Sequence, residues 1–414
     1  MSERQTMRWP TRMSRRAFLG ALGGAGMAVL MAGCGLRDPE PTPTPTKTPK
    51  ASGPTATRTA SVTPPPTATA AATWMPQPTD TPGPPTATFT PPPTPTPTAS
   101  PFPPGPQTKL GVFISRNDPR VFDLLRTGNV AIVKTLEYDP NFVADMKTLS
   151  PQTLIIARLD MPQIDLANLT DPKGEAAAFT QNVLSIMADP RRMSSIDGWE
   201  SFNEPVAVDA DQMARLAEFE AERTRLLAAQ GIRSVIGNFA TGHPDMALWP
   251  AFRPALEAAQ EHDGYLGLHE YSAPTMQYAT PQELLNWGTD PGQEGWLTLR
   301  YRKAYREYLR PNGLELPLLL TEVGIDGQVA DRPGPPGLGW RDFGDYWDEL
   351  GMGKDAPGNY MEQLAWYDAE LQQDAYLLGA AIYAAAASPG WESFEILGEV
   401  EPFLLQYLSV HPIS

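Results

Sequence analysis

The stretch Leu316-Pro317-Leu318-Leu319-Leu320-Thr321-Glu322 is an apolar run that closes on a carboxylate. A continuous apolar run of this length suits a strand covered on both faces, as in a parallel sheet. A carboxylate ending such a strand needs partners or a chemical task, because burying it alone is costly. Seven more short runs share the pattern, at 110–114, 130–134, 153–158, 197–202, 234–238, 264–271 and 378–383. Amphipathic stretches lie between them, among them 209–230, 293–309 and 359–376. Gly231 follows the first of these, where a helix C-cap belongs. Eight strands alternating with helices over residues 107–414 predict a (β/α)8 TIM barrel, with a doubly wound sheet as the alternative. No Gly-rich phosphate loop follows any of the runs, which weakens a nucleotide-binding version.

Ahead of this region the composition changes. Of 46 prolines, half fall within 39–106, where Pro, Thr and Ala dominate. Such a stretch cannot bury enough apolar surface to fold and reads as a disordered, extended Pro/Thr-rich linker. Residues 1–37 carry six arginines against Glu3, and 38–106 balance, so the chain's net −16 places −21 on the globular part. A body that acidic repels phosphate backbones and anionic polymers, which argues against a nucleic-acid partner. The single Cys34 excludes a disulfide scaffold or a Cys-based zinc site, and four histidines exclude a His-rich metal tract.

Ser14-Arg15-Arg16-Ala17-Phe18-Leu19 resembles a twin-arginine export signal, followed by an apolar stretch, 17–32, that is short for a membrane span. Leu30-Met31-Ala32-Gly33-Cys34 resembles a bacterial lipobox, in which Cys34 would receive the lipid. The resemblances imply a signal peptide over 1–33, a lipid-anchored linker over 34–106 and a catalytic domain over 107–414. They also imply an exported protein held at the cell surface or envelope by membrane insertion of the Cys34 lipid.

In a barrel, functional residues sit where strands end. The fourth run leads into Trp199-Glu200-Ser201-Phe202-Asn203-Glu204-Pro205, the sixth into His269-Glu270-Tyr271-Ser272, and the seventh ends on Glu322. Acids ending strands four and seven would face each other across the mouth. On these residues the domain resembles the retaining glycoside hydrolases of clan A, which place Asn-Glu after strand four and a nucleophilic Glu after strand seven.

That resemblance implies Glu204 as acid/base and Glu322 as nucleophile in a double displacement, a mechanism that needs no metal or organic cofactor. It implies Asn203 on the sugar 2-hydroxyl, Tyr271 donating to Glu322, His269 supporting the site, Arg158 low in it, and Trp391 as a strand-eight aromatic. Asn238, ending strand five, joins the expected substrate contacts. Glu270 alternates away from His269 and Tyr271, towards the helices. His243 lies on the loop after strand five.

The Gly/Pro-rich stretch 327–358 holds Trp340, Phe343, Tyr346 and Trp347 and reads as a lid or subsite wall, with Trp340 stacking on sugar. Trp287 and Trp296 would form another subsite. The expected partner is a neutral oligo- or polysaccharide, and the absence of internal repeats or added binding modules leaves a monomer as the expectation. The rivals are a non-catalytic carbohydrate-binding or wall-associated lipoprotein with the same barrel, and a two-lobed solute-binding lipoprotein.

Overall fold

The computed structural model describes residues 102–278, 294–295, 297–329 and 332–413. The export signal, Cys34, the linker as far as residue 101, Trp287 and Trp296 lie outside the described residues. Eight parallel strands close into one barrel in chain order: β1 (Leu110–Ile114), β2 (Ile132–Thr135), β3 (Leu154–Ala157), β4 (Gly198–Glu200), β5 (Ser234–Phe239), β6 (Tyr265–Ser272), β7 (Leu318–Ile325) and β8 (Leu377–Ala386), with β8 paired back onto β1. All eight predicted runs are strands, shifted at their ends by a few residues. The closed (β/α)8 barrel removes the doubly wound sheet and the two-lobed binding protein.

Helices cover the outside. The helix Ala210–Ala228 begins where Asp209 accepts from the Gln212 N–H, and the chain leaves it through Gly231 at φ 73°. Ala356–Leu371 is capped in the same way by Asp355. Among the described residues no helix is long and apolar enough to cross a membrane. Phe102 and Gly105, ahead of the expected boundary at 107, already pack on the barrel's last helix. The Phe102 ring packs edge-on to Tyr407 at 5.3 Å, and the Gly105 N–H donates to the Val410 carbonyl at 3.0 Å.

Two layers of apolar packing divide the strands. Ile132, Ile156, Val235, Tyr265, Leu319 and Ala381, from six strands, form a cluster of their own, separate from the large core that joins the outer strand faces to the helices. Strand side chains alternate, so the residues two positions further on share the inner face. On β2 and just past β3 these are Lys134 and Arg158, and the apolar floor of the barrel therefore gives way to charge towards its C-terminal mouth.

Two irregularities aim the mouth residues. On β7, Leu318 and Leu320 belong to the outer core while Leu319 belongs to the inner cluster. Plain alternation would send Glu322 outward with Leu320. Instead the register with β6 passes from Leu268↔Leu320 to His269↔Glu322, so Thr321 is an extra residue. This bulge turns Glu322 to the inner face beside His269 and returns Val323 to the outer core. On β5 a second bulge, between Gly237 and Phe239, singles out Asn238 at φ 49°.

β4 has only three residues and is braced from behind. Arg223, buried on the helix Ala210–Ala228, donates to the Trp199 carbonyl at 3.0 Å, the Val235 carbonyl at 2.8 Å and Glu220 Oε2 at 2.9 Å. Glu220 in turn accepts from the Ser201 hydroxyl, which ties the chain after β4 to the helix.

Candidate active site

Glu204 and Glu322 meet at the mouth, both buried to within a few per cent. One oxygen of each and one ring nitrogen of His269 all lie within 4.8 Å of one another. His269 Nδ1 stands 2.9 Å from Glu204 Oε1 and 3.5 Å from Glu322 Oε2. The Tyr271 hydroxyl donates to Glu322 Oε2 at 2.7 Å. Glu204, His269, Tyr271 and Glu322, four residues read from the strand ends, thus converge.

Glu204 has φ 45°, rare for a non-glycine, and precedes Pro205. Its N–H donates to the Asn238 carbonyl at 3.1 Å, and the Gln163 side chain donates to the carbonyls of Asn203 and Glu204 at 3.1 and 3.2 Å. Asn203 is half-buried, and its Oδ1 has no hydrogen-bond partner among the described residues. That oxygen is itself buried, and its lone pairs are unmatched.

Two residues that sequence reasoning passed over, Lys134 and Glu200, complete the floor beside the expected Arg158. Lys134, fully buried on β2, donates to Glu322 Oε1 at 2.8 Å and lies 2.9 Å from Glu200 Oε2. Arg158, just past β3, has its Nε 3.8 Å from the same Glu200 oxygen. A lysine closing the apolar run 130–134 was the available signal, since a buried charge requires a partner. Burial pushes the Glu322 carboxyl up, but His269, Lys134 and Arg158 outweigh it and hold Glu322 well below the usual carboxylate range. The Tyr271 hydroxyl moves the other way, pushed well above its ordinary value by burial and by Glu322. Asp326, beyond β7, is pushed up to about 6 by burial, with the nearby Glu204 adding to the rise.

The Glu204–His269–Glu322 triad is of a size that could hold a metal ion. Lys134, however, puts an ammonium within 2.8 Å of Glu322 and 3.4 Å of His269 Nε2. A resident cation there would face another cation in a buried space, so the residues present do not fit one.

Three expectations are corrected. Trp340 does not offer its face to a sugar. It is 1% exposed, stacked on Tyr360 at 5.5 Å, with its Nε1 donating to the Glu395 carbonyl at 3.3 Å. Trp347 and Phe343 are buried with it, so this part of the stretch 327–358 packs its aromatics onto the barrel. Trp391 is not on β8, which ends at Ala386. The strand's own aromatic is Tyr383, whose ring stands 6.1 Å from Tyr271 and nearly perpendicular to it, with Trp391 against its other side at 5.9 Å. Asn238 is fully buried in the wall, where its side chain occupies the space a Gly267 Cβ would need. Its contribution is the carbonyl that holds Glu204.

Glu270 does face the helices. It accepts from the Leu299 and Tyr301 N–H groups at 2.7 and 3.1 Å and from the Tyr367 hydroxyl at 2.5 Å. His243 lines a small cavity beside β6 with Trp249, Glu270, Arg300 and Tyr301.

No family model matches this chain, and no curated protein matches its sequence. Solved structures with similar folds include a GH128 (subgroup I) endo-β-1,3-glucanase from Amycolatopsis mediterranei in complex with laminaritriose, 14% identical, covering 73% of this chain and 98% of that one, TM-score 0.42. A GH128 (subgroup II) endo-β-1,3-glucanase from Sorangium cellulosum is 16% identical, covering 74% and 100%, TM-score 0.44. An endo-β-1,4-mannanase from Thermotoga petrophila is 12% identical, covering 74% and 77%, TM-score 0.42. At these identities and scores the class of the protein, a (β/α)8 barrel with a carboxyl pair at its mouth, rests on its own strand pairing and side chains.

Proposed function

We propose that the chain is a retaining glycoside hydrolase acting on a neutral extracellular β-glycan. The observation that carries this reading is the pair of buried carboxyls, Glu204 and Glu322, with oxygens within 4.8 Å at the C-terminal mouth of the barrel. Retaining hydrolysis uses two carboxyls about 5–5.5 Å apart, whereas inversion needs roughly 6.5–9.5 Å to admit a water.

The electrostatics support one division of the roles. Glu322, held ionised by Lys134, His269 and Arg158, is the nucleophile on the anomeric carbon. Glu204 protonates the leaving oxygen, then takes a proton from water as the glycosyl-enzyme is hydrolysed. Tyr271 keeps Glu322 Oε2 in place, and the unpartnered Oδ1 of Asn203 accepts a sugar hydroxyl. The charge of the body favours a neutral glycan over an anionic one. The same reading makes the protein a monomeric lipoprotein held at the envelope by Cys34, with the Pro/Thr-rich stretch 39–101 as spacer. Cys34→Ala should then leave the protein soluble in a membrane fractionation.

The test is hydrolysis of a panel of neutral β-glycans by the full chain beside Glu204→Ala and Glu322→Ala. Loss of about 10²–10⁴-fold in Glu204→Ala, with azide yielding a glycosyl azide, is the expected result. Activity surviving in Glu322→Ala would overturn the mechanism. Glycan binding without turnover, unchanged by either substitution, would make the protein a binding lipoprotein.

A further inference from the structure

Lys134 and the second nitrogen of His269 transfer no proton in the steps above, yet they are the groups that join the two carboxyls. Lys134 Nζ is enclosed by Glu322 Oε1 at 2.8 Å, Glu200 Oε2 at 2.9 Å, His269 Nε2 at 3.4 Å and the Phe113 ring at 5.4 Å. An amine set between two carboxylates is an ammonium, and an ammonium offers donors only. The imidazole nitrogen it faces must therefore present a lone pair. A neutral imidazole carries one N–H, so with Nε2 bare the proton is on Nδ1. Nδ1 is the atom 2.9 Å from Glu204 Oε1. The opposite assignment, Glu204 donating to Nδ1, would put an Nε2–H against the lysine N–H groups, donor against donor.

We infer that Lys134 is a positioning residue for both carboxyls: it pairs directly with Glu322 and, by fixing the Nδ1–H tautomer of His269, keeps Glu204 Oε1 an acceptor. When Glu204 is protonated, its proton is thereby confined to Oε2, the oxygen left to meet a leaving group. The catalytic consequence rests on the function proposed above, whereas the tautomer itself does not.

Loss of the lysine also has a consequence for pH. The cations near Glu322 are Lys134 and Arg158, the acids are Glu200 and Glu204, and His269, neutral in this tautomer, favours the ionised Glu322 as an N–H donor, its Nδ1 lying 3.5 Å from Oε2. Tyr271 and Tyr383 add only phenols that stay protonated, both being pushed above their ordinary range by burial. Without Lys134, Glu200 acts on Glu322 with less compensation and Glu322 is harder to ionise. The acid limb of kcat/KM, which needs an ionised nucleophile, then moves to higher pH by roughly one unit or more.

The experiment is nitrogen NMR of the full chain labelled in its four histidines, with His269 assigned by its loss in His269→Gln. At pH 7 the wild-type ring is expected as Nδ1–H with a bare Nε2, and Lys134→Met is expected to shift it towards Nε2–H. In the same variant kcat/KM should fall by about 10²-fold or more with its acid limb displaced upward, and Lys134→Arg should recover part of the displacement. A wild-type ring that is Nε2–H or doubly protonated would overturn the inference, as would a tautomer and acid limb both unchanged in Lys134→Met. If Lys134→Met does not fold, the wild-type tautomer still decides. If no glycan is turned over, the proposed function fails while the tautomer result stands or falls independently.

Discussion

The Glu204 N–H donates to the Asn238 carbonyl at 3.1 Å, and both residues are held at positive φ, 45° and 49°. Left-handed backbone at a non-glycine costs on the order of 1–3 kcal/mol and persists only where the surroundings over-determine it. Here the β5 bulge brings the Asn238 carbonyl across to the chain leaving β4, and so fixes the direction of the Glu204 carboxyl. Proline at 205 adds a restriction on the same residue.

A comparison of Asn238→Ala with Asn238→Gly isolates this backbone term, since both lose the side-chain amide. Alanine tolerates positive φ poorly, so Asn238→Ala should be less stable than Asn238→Gly by about 1 kcal/mol or more. Chemical denaturation of the two variants measures it. Equal stabilities would mean that the bulge relaxes and does not hold Glu204.

Glu270 gives the fold a pH dependence. Burial pushes its carboxyl up to about 7, from an ordinary value of 4.5, against the pull of Tyr367 and the Tyr301 and Leu299 N–H groups. Between those values the folded chain keeps a proton that the unfolded chain has released. Stability therefore falls as pH rises from about 4.5 to about 7, by roughly 3 kcal/mol in total, and levels off above. Asp326 adds a fall of the same sign over part of that window. Glu270→Gln should be less stable throughout, because its amide faces N–H donors, but it should lose the Glu270 share of the slope. Urea melts of both proteins from pH 4.5 to 8 test this, and parallel curves would contradict it.

Arg223 and Arg225 sit two residues apart and should behave very differently. Arg223→Met leaves Glu220 without its buried cation and strips donors from the Trp199 and Val235 carbonyls. Breaking one side of a buried pair costs about 3–5 kcal/mol. Arg225→Ala removes only a solvent-screened pair with Glu222 and should leave stability almost unchanged. Denaturation midpoints should separate the two, and a small effect at Arg223 would show that β4 is not braced from that helix.

Trp340 tests whether the aromatic stretch after β7 is wall or core. Trp340→Ala should cost about 3–5 kcal/mol of stability, as for other buried tryptophans. If a glycan substrate is found, KM of the folded fraction should change little. A large rise in KM at unaltered stability would return Trp340 to the substrate side.

All eight strands were legible in the sequence, because a strand covered on both faces writes itself as an unbroken apolar run, whatever its neighbours do. Glu204, His269, Tyr271 and Glu322 were legible for a related reason: polar residues ending such runs stand out against them. Lys134 carried the same signal at the end of the second run, but a lone lysine says nothing of which acids surround it, and Glu200 is hidden within a strand of three residues.

What the residues could not announce was direction. Counted along β7, Glu322 shares a face with Leu320 and belongs outside. It points inward because between Leu320 and Val323 β7 runs one residue longer than both β6 and β8, the extra residue being Thr321, and register is a property of strand pairs. Asn238 likewise contributes its carbonyl and not its amide, because Gly267 on the next strand leaves room for the side chain in the wall. Trp340 and Trp391 differ from their expected places for the same reason. An aromatic in a loop packs on whatever surface the fold brings to it, and that surface is Tyr360 on the following helix for one and Tyr383 on β8 for the other.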